Sequence, residues 1–289
     1  MHKIVLPKFS DKIFKAYDIR GKYPEEINED AAYKIARSFV LYLKLTSKKD
    51  KLEIIVSSDG RPSSPNLKKA FTRGLLDEGV NVVDAGVTTT PMHYFIVNKT
   101  NADGGAMITA SHLPLEFNGI KLSKKEALPV AEGFGMEEIK NSALRGVFSN
   151  SERGRGREEN FLSDYAYFFA ERFSNLTQEN IKIKVDIKNS VVGVVLPKIL
   201  ARFYKFKITD KSNDFSVSFD RDGDRIKFCD ENGKEISGDI ITALLAANFS
   251  GPTVYSINSS RVVKEEIEKY GGRAIESRVG HSFIKKAMR

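Results

Sequence analysis

The sequence predicts an α/β protein built from tandem units. Two observations carry this. Short apolar runs alternate with amphipathic helical patterns through the first half, as in layers joined by crossover connections. A polar, glycine-punctuated stretch then interrupts the alternation, which resumes twice. The chain has 289 residues, enough for roughly two domains with separate cores.

In order, Glu29 to Leu45 places Ala32, Ile35, Ala36, Phe39, Val40 and Leu43 at helical spacing. Ile54 to Val56 reads as a short buried strand. Ser64 to Glu78 reads as a helix, with Pro65 in its first turn and Gly79 past its end. Val80 to Val83 predicts a strand, Pro91 to Asn98 a helix and Gly105 to Thr109 a strand. Phe148 to Asn160 holds Gly154 and Gly156 without apolar periodicity, and reads as a linker.

Beyond it, Phe161 to Phe173 predicts an aromatic-rich helix and Ile181 to Val185 a strand. Val191 to Phe203 predicts a helix with Pro197 as a kink point. Phe215 to Phe219 and Arg225 to Cys229 predict strands. A last block opens near Glu235. Its predicted elements are the helix Asp239 to Ala247, the strand Val254 to Ile257, the helix Val262 to Tyr270 closed by Gly271 and Gly272, the strand Arg273 to Val279 and the helix Ser282 to Met288. The expected units are therefore 1–150, 151–234 and 235–289, the last one short.

Composition narrows the function classes. Against 38 Asp and Glu stand 46 Lys and Arg, a net charge of +8. The basic residues are spread along the chain beside acidic ones, so small anions are better partners than nucleic acid. The cluster Arg153, Arg155 and Arg157 is interleaved with Glu152, Glu158 and Glu159. Cys229 is the only cysteine, so no internal disulfide can form. No apolar run reaches the ~18 residues a membrane span needs, and Met1 to Ser10 has no signal-peptide core. The expectation is a cytoplasmic protein with no membrane partner.

Four segments carry chemistry. Asp220-Arg221-Asp222-Gly223-Asp224-Arg225 alternates three carboxylates on a glycine loop between β-type runs. Turned toward one centre, such hard oxygen ligands suit Mg²⁺, with Arg225 beside them as a fork for phosphate oxygens. A calcium EF-hand loop is the rival, since Asp220, Asp222, Asp224 and Glu231 fall at its ligand spacings. Arg225 stands where that loop needs glycine, and a solvated acidic turn is the plain alternative. Thr109-Ala110-Ser111-His112 puts a serine and a histidine after a buried strand, a place for a nucleophile or simply a surface turn. A G-x-S-x-G elbow is absent, which argues against a hydrolase triad. Lys15 to Gly21 (Lys-Ala-Tyr-Asp-Ile-Arg-Gly) and Ser58 to Ser64 (Ser-Asp-Gly-Arg-Pro-Ser-Ser) read on their own as a turn and a helix cap.

Together and in this order, the four segments resemble the α-D-phosphohexomutases. Tyr17 before Asp18 resembles the phosphomannomutase/phosphoglucomutase branch rather than the phosphoglucosamine branch. The resemblance runs from about Ile13 to the last residue. It implies three-layer α/β/α units with mixed sheets, a third unit that is incomplete and a fourth, C-terminal domain that is absent. By that resemblance Ser111 carries the phosphoryl group. Asp220, Asp222 and Asp224 hold Mg²⁺ with it. Arg20, Lys121 and Arg225 surround the transferring group, with His112 nearby. Tyr17 lines the cleft, and His281 is the acid/base candidate near the substrate, so Tyr17, Arg20, Lys121 and His281 contact it. The implied substrate is a phosphorylated hexose, with hexose 1,6-bisphosphate as intermediate and activator.

Departures temper what this chain does alone. Leu113 stands where the family usually has Asn, and Asn258 where it usually has Lys. Little sequence separates Ile208 from Phe215, and the family's sugar-selecting and remote-phosphate elements have no counterpart, which predicts weaker substrate affinity. Three readings follow: a mutase-type enzyme, a half-enzyme completed by self-association or a complementing C-terminal chain, and a non-catalytic sugar-phosphate binder.

Overall fold

The computed structural model describes residues 9–148, 151–174, 181–187, 190–203, 206–209, 215–248 and 251–289. The reading of Met1 to Ser10 falls largely outside them, as do positions 149–150 of the linker and 210–214 before the acidic loop.

The first unit forms a mixed sheet from β1 (Ile19–Lys22), β2 (Glu53–Ser58), β3 (Asn81–Val87), β4 (Gly104–Ile108), β5 (Phe117–Lys124), β6 (Leu128–Pro129) and β7 (Gly156–Glu158). Their spatial order is β1-β5-β4-β2-β3-β7, with β6 beside β5. The stretch β4-β2-β3-β7 is parallel, while β5 runs antiparallel to both β4 and β1. Helices α1 (Glu29–Ser47), α2 (Ser64–Asp77), α3 (Thr90–Lys99) and α4 (Met136–Arg145) cover it. Side chains alternate along β2 in the way a strand demands. Ile54 and Val56 join Phe39, Phe71 and Ile139 on one face, and Ile55 joins Met92 and Ile96 on the other.

That second face is shared with the second unit, formed by α5 (Leu162–Arg172), β8 (Ile181–Asp186), α6 (Val192–Leu200), β9 (Phe206–Thr209), β10 (Phe215–Phe219), β11 (Ile226–Cys229) and β12 (Glu235–Ile236). Tyr165 of α5 and Val195 of α6 sit in the same cluster as Met92 and Ile96, and the Tyr165 ring lies 5.1 Å from Phe95. The strand order is β12-β11-β10-β8-β9. The third unit holds α7 (Gly238–Ala246), β13 (Thr253–Ser256), α8 (Arg261–Lys269), β14 (Ala274–Ser277) and α9 (His281–Ala287), with β13 and β14 parallel.

The linker reading needs correction. Gly156–Glu158 pairs with β3 as the edge strand of the first sheet. Gly154 allows the chain to reach it, because a Cβ there would lie 1.9 Å from the Val80 carbonyl oxygen. Strand β5 had no apolar signature in Phe-Asn-Gly-Ile-Lys-Leu-Ser-Lys, yet residues 118–123 are buried. Helix α4 was likewise not expected.

One buried cation organises the loop after β4. The Arg61 guanidinium donates Nε to Asp59 Oδ2 at 2.9 Å, Nη1 to the carbonyls of Pro114 (2.6 Å) and Phe117 (2.9 Å), and Nη2 to those of Ser111 (2.6 Å) and Leu113 (2.8 Å). All five of its N–H donors are used, and the side chain is fully buried. Arg61→Met is expected to destabilise the fold by about 3–5 kcal/mol, the cost of leaving a buried carboxylate unpaired. Arg61→Lys keeps a charge but not the fork, and recovers only part of that. Urea midpoints of the three chains measure it.

On the other side of the sheet, His93 is buried with Nδ1 2.8 Å from the Ser57 hydroxyl. Burial, then the charges of Lys285 and Lys121, lower its pKa to about 3. The folded protein thus holds His93 neutral while the unfolded chain protonates below the ordinary value of 6.5. This contribution is intact above pH 6.5 and is lost as pH falls toward 3, at up to about 1.4 kcal/mol per pH unit. Between pH 7 and pH 5, the urea midpoint of His93→Gln is expected to fall less than that of the wild type.

Candidate active site

The Ser111 loop leaves the C-terminal end of β4, and the acidic loop joins β10 to β11. Strands on both sides of Asp220–Arg225 remove the EF-hand reading, which needs helices. The acidic loop is folded by its own first carboxylate. Asp220 Oδ1 accepts the backbone N–H groups of Asp224 and Arg225, both at 3.1 Å. Gly223 turns the chain at φ +68°, and a Cβ there would meet Val192 Cγ2 at 2.7 Å.

Contacts from two units hold this loop in place. At the start of α3, the Thr90 N–H donates to the Asp222 carbonyl at 2.8 Å and the Thr90 hydroxyl to Asp222 Oδ2 at 2.7 Å. Thr89 caps the same helix end, accepting the Met92 N–H. From the second unit, the Ser190 hydroxyl donates to the Asp220 carbonyl at 2.8 Å. The run Thr88-Thr89-Thr90-Pro91 carried a helix-start signal, but its partner in the acidic loop is 132 positions away.

Ser111 adopts a left-handed backbone, φ +51°, unusual for a residue with a Cβ and of the kind that gathers at functional sites. Its N–H donates to Thr109 Oγ1 at 2.9 Å. Its hydroxyl lies 2.8 Å from Asp220 Oδ2 and 3.3 Å from Asp224 Oδ1. Asp220, Asp222 and Asp224 bring one ligand oxygen each to within 4.8 Å of one another. Asp222 is wholly buried, and its Oδ1 has no hydrogen-bond partner among the described residues. Three converging carboxylates and an orphaned buried oxygen fit a divalent cation of the Mg²⁺ type.

Lys121, on β5, is the internal cation of the cluster. Its Nζ lies 2.7 Å from Asp222 Oδ2 and 2.5 Å from Asp224 Oδ2. Burial opposes its charge, but Asp222 and Asp224 prevail and hold it above the ordinary lysine range. Lys121 in turn offsets burial at Asp222 and holds that carboxyl below the usual range. Asp220 goes the other way. Burial, followed by the charges of Asp222 and Asp224, pushes it up to about 6.

A cavity of about 250 Å³ opens in front of this cluster. Tyr17, Arg20, Ser111, His112, Lys121, Asp224, Arg225 and His281 line it, with Asp18, Val279 and Gly280. All ten residues singled out from the sequence therefore gather in one place, Asp220 and Asp222 lying behind Ser111 and Lys121. Arg20 is aimed by a two-pronged pair with Asp18. Across the sheet Arg20 faces Gly119, where a Cβ would lie 2.2 Å from the Ile19 carbonyl oxygen. His112 is exposed on one side, and partial desolvation of its ring against the protein, then the nearby Arg225 and Arg20 charges, lower its pKa.

His281 starts α9 and meets the Tyr17 ring edge-on at 5.7 Å. Burial, helped by Lys121 and Lys285, pulls it to about 4, so it is neutral at pH 7. Leu113 contributes its carbonyl to Arg61. Asn258 is exposed in the turn after β13 and does not line the cavity.

Residues 11–149 match the model for phosphoglucomutase/phosphomannomutase alpha/beta/alpha domain I, and residues 237–289 that for domain III. A phosphomannomutase of Vibrio cholerae is 31% identical, covering 96% of this chain and 68% of that protein. That of Methanocaldococcus jannaschii is 33% identical with the same coverage, and that of Escherichia coli K12 is 32% identical, covering 96% of this chain and 69% of its own length. The chain thus spans about two-thirds of the length of these relatives. In three dimensions it is similar to a phosphoglucomutase/phosphomannomutase family protein of Burkholderia thailandensis, with a TM-score of 0.85 at 22% identity over 97% of this chain and 69% of that one. It is also similar to the parafusin phosphoglucomutase of Paramecium, with a TM-score of 0.77 at 16% identity over 94% of this chain and 63% of that one. By sequence identity across nearly its whole length, this chain belongs to the phosphoglucomutase/phosphomannomutase family.

Proposed function

We propose that this chain carries a phosphoryl group on Ser111 and exchanges it with the 1- and 6-oxygens of a hexose phosphate. The observation that supports this most directly is the Ser111 hydroxyl held between Asp220 and Asp224, beside the unpartnered buried oxygen of Asp222. Asp220, Asp222 and Asp224, with the phosphorylated serine, are the residues to hold Mg²⁺. Bound there, the ion would neutralise charge on the transferring group.

The remaining work falls to the protein's own side chains. Phosphoryl transfer needs alignment and charge neutralisation more than covalent help from the protein. Arg20, Lys121 and Arg225 supply cations around the group. In the first transfer the bond from phosphorus to Ser111 Oγ breaks as a bond to the sugar oxygen forms, and the proton of the attacking hydroxyl goes to a base. His281, neutral at pH 7, is suited to receive it. The resulting hexose 1,6-bisphosphate turns over in the cleft and returns its other phosphoryl group to Ser111. Tyr17 forms part of the wall against which the sugar rests, and exposed His112 is placed to contact phosphate oxygens.

A second reading, completion of the site by another chain, is favoured by the outer face of α7. Ile240, Leu244 and Leu245 are 49%, 59% and 57% exposed there, an apolar surface suited to burial against protein.

Incubation with Mg²⁺ and glucose 1,6-bisphosphate is expected to add one phosphoryl group to the intact mass of the wild type and none to Ser111→Ala. No gain in the wild type would count against the function. Mg²⁺ at a hundredfold excess over its Kd is expected to stabilise the wild type by about 2.7 kcal/mol. Asp222→Asn is expected to lose most of that, read as the shift of the melting midpoint with and without the ion.

A further inference from the structure

Beside the cleft, behind His281 and outside the cavity lining, lies a cation that the reading above leaves unused. Lys285 lies on α9 one helical turn beyond His281, so the two side chains share a face. Its ammonium sits 3.2 Å from the centroid of the Tyr94 ring. Tyr94 lies one turn beyond Thr90 on α3, on the face that reaches Asp222, and Lys121 Nζ is 3.4 Å from the Thr90 hydroxyl. The charges of Lys285 and Lys121 both reach His93 and His281, and Asp224 opposes them at His281 and Lys285, so these groups share one field where the first and third units meet.

What Lys285 lacks is a counter-ion. Among the described residues no carboxylate forms an ion pair with it; Asp224 acts on it only at longer range, and its contact is the face of Tyr94. Its neighbour Lys121, by contrast, is paired to both Asp222 and Asp224. A half-buried ammonium facing a second ammonium is unfavourable unless an anion joins them. A cation–π contact recovers only about 0.5–2 kcal/mol of that cost. Surface lysines of this protein that need no ligand, such as Lys34 and Lys68, pair with Asp30 and Asp84.

We propose that Lys285 is a further catalytic residue of this site, reaching from α9 beside Lys121 to bind the phosphoryl group under transfer, so that docking of α9 completes the anion site. The inference rests on the reading of the cleft as a phosphoryl-transfer site. Burial, then the Lys121 charge, lowers Lys285 to about 8 against the opposing charge of Asp224, the direction expected of a cation that has not yet met its anion. The aromatic seat suits this role, since Tyr94 fixes the ammonium without neutralising it and leaves its N–H donors free for phosphate oxygens. Three further contacts hold the helix that delivers it: Phe283 against Phe134 at 6.5 Å, Lys286 over the Phe134 ring at 4.3 Å and Arg289 paired with Glu126.

Two measurements on the full chain test it. The first is the initial rate of Ser111 phosphorylation by glucose 1,6-bisphosphate with Mg²⁺, followed by intact mass. Lys285→Met is expected to be slower than the wild type by about tenfold or more, the worth of a charge-assisted hydrogen bond. Lys285→Arg is expected to recover most of the rate. A wild-type rate in Lys285→Met overturns the proposal. The second uses the wild type only, and so decides the matter if Lys285→Met fails to fold. A limiting amine-acetylating ester is applied with and without inorganic phosphate, and acetylation of Lys285 is read by peptide mass against exposed Lys264. Slowing by phosphate at Lys285 and not at Lys264 supports the site; equal labelling overturns it. A wild type that accepts no phosphoryl group would sink the function proposed above, while the labelling result still decides whether Lys285 binds the anion.

Discussion

The fork of Arg61 is the interaction on which the rest of the site depends. Four carbonyls between Ser111 and Phe117 converge on one guanidinium, whose charge is balanced by Asp59. Asp59 Oδ2 also accepts the Thr109 hydroxyl, and Thr109 Oγ1 receives the Ser111 N–H. The left-handed turn at Ser111 is therefore held from both sides by buried polar groups. Each of these has a high cost if left alone, so the network forms as a unit or not at all.

The acidic loop is placed by a different principle, packing between units. The first and second units share a hydrophobic cluster, in which α5 and α6 lie against α3. That packing sets the N-terminal end of α3 against Asp222. The third unit is joined more lightly, through aromatic and cationic contacts of α9 with Tyr17, Tyr94 and Phe134. None of the three hydrophobic clusters among the described residues spans the joint that carries His281 and Lys285, and segments with few shared apolar contacts open most readily.

Much of this was legible in the sequence, and the exceptions share a cause. The alternation of strands and helices shows in local periodicity, and the loops at Lys15, Ser58, Thr109 and Asp220 show in short-range polar patterns. Strand β5 was hidden because its buried polar residues are satisfied from far away. Asn118 donates to Ser63 and Ser64, and Lys121 pairs with carboxylates more than a hundred positions on. The edge strand β7 was taken for a linker because its side chains are exposed on both faces and only its backbone is paired. Lys285 carries no local signal within the helix expected from Ser282 to Met288; its seat on Tyr94 appears only in the fold. Sequence periodicity reports burial of apolar groups, and it is silent on polar groups buried in pairs.

The backbone at Ser111 also bears on which amino acids this position can accept. At φ +51° a branched Cβ is crowded by its own main chain. Threonine offers the same hydroxyl, yet its extra methyl makes it a poor occupant of this turn. Asparagine and glycine tolerate the conformation but bring no hydroxyl. The fold accordingly restricts the chemistry of the loop through a dihedral angle, and a drift from serine to threonine, ordinary on a protein surface, is closed to this lineage unless the whole Arg61-bound turn changes with it.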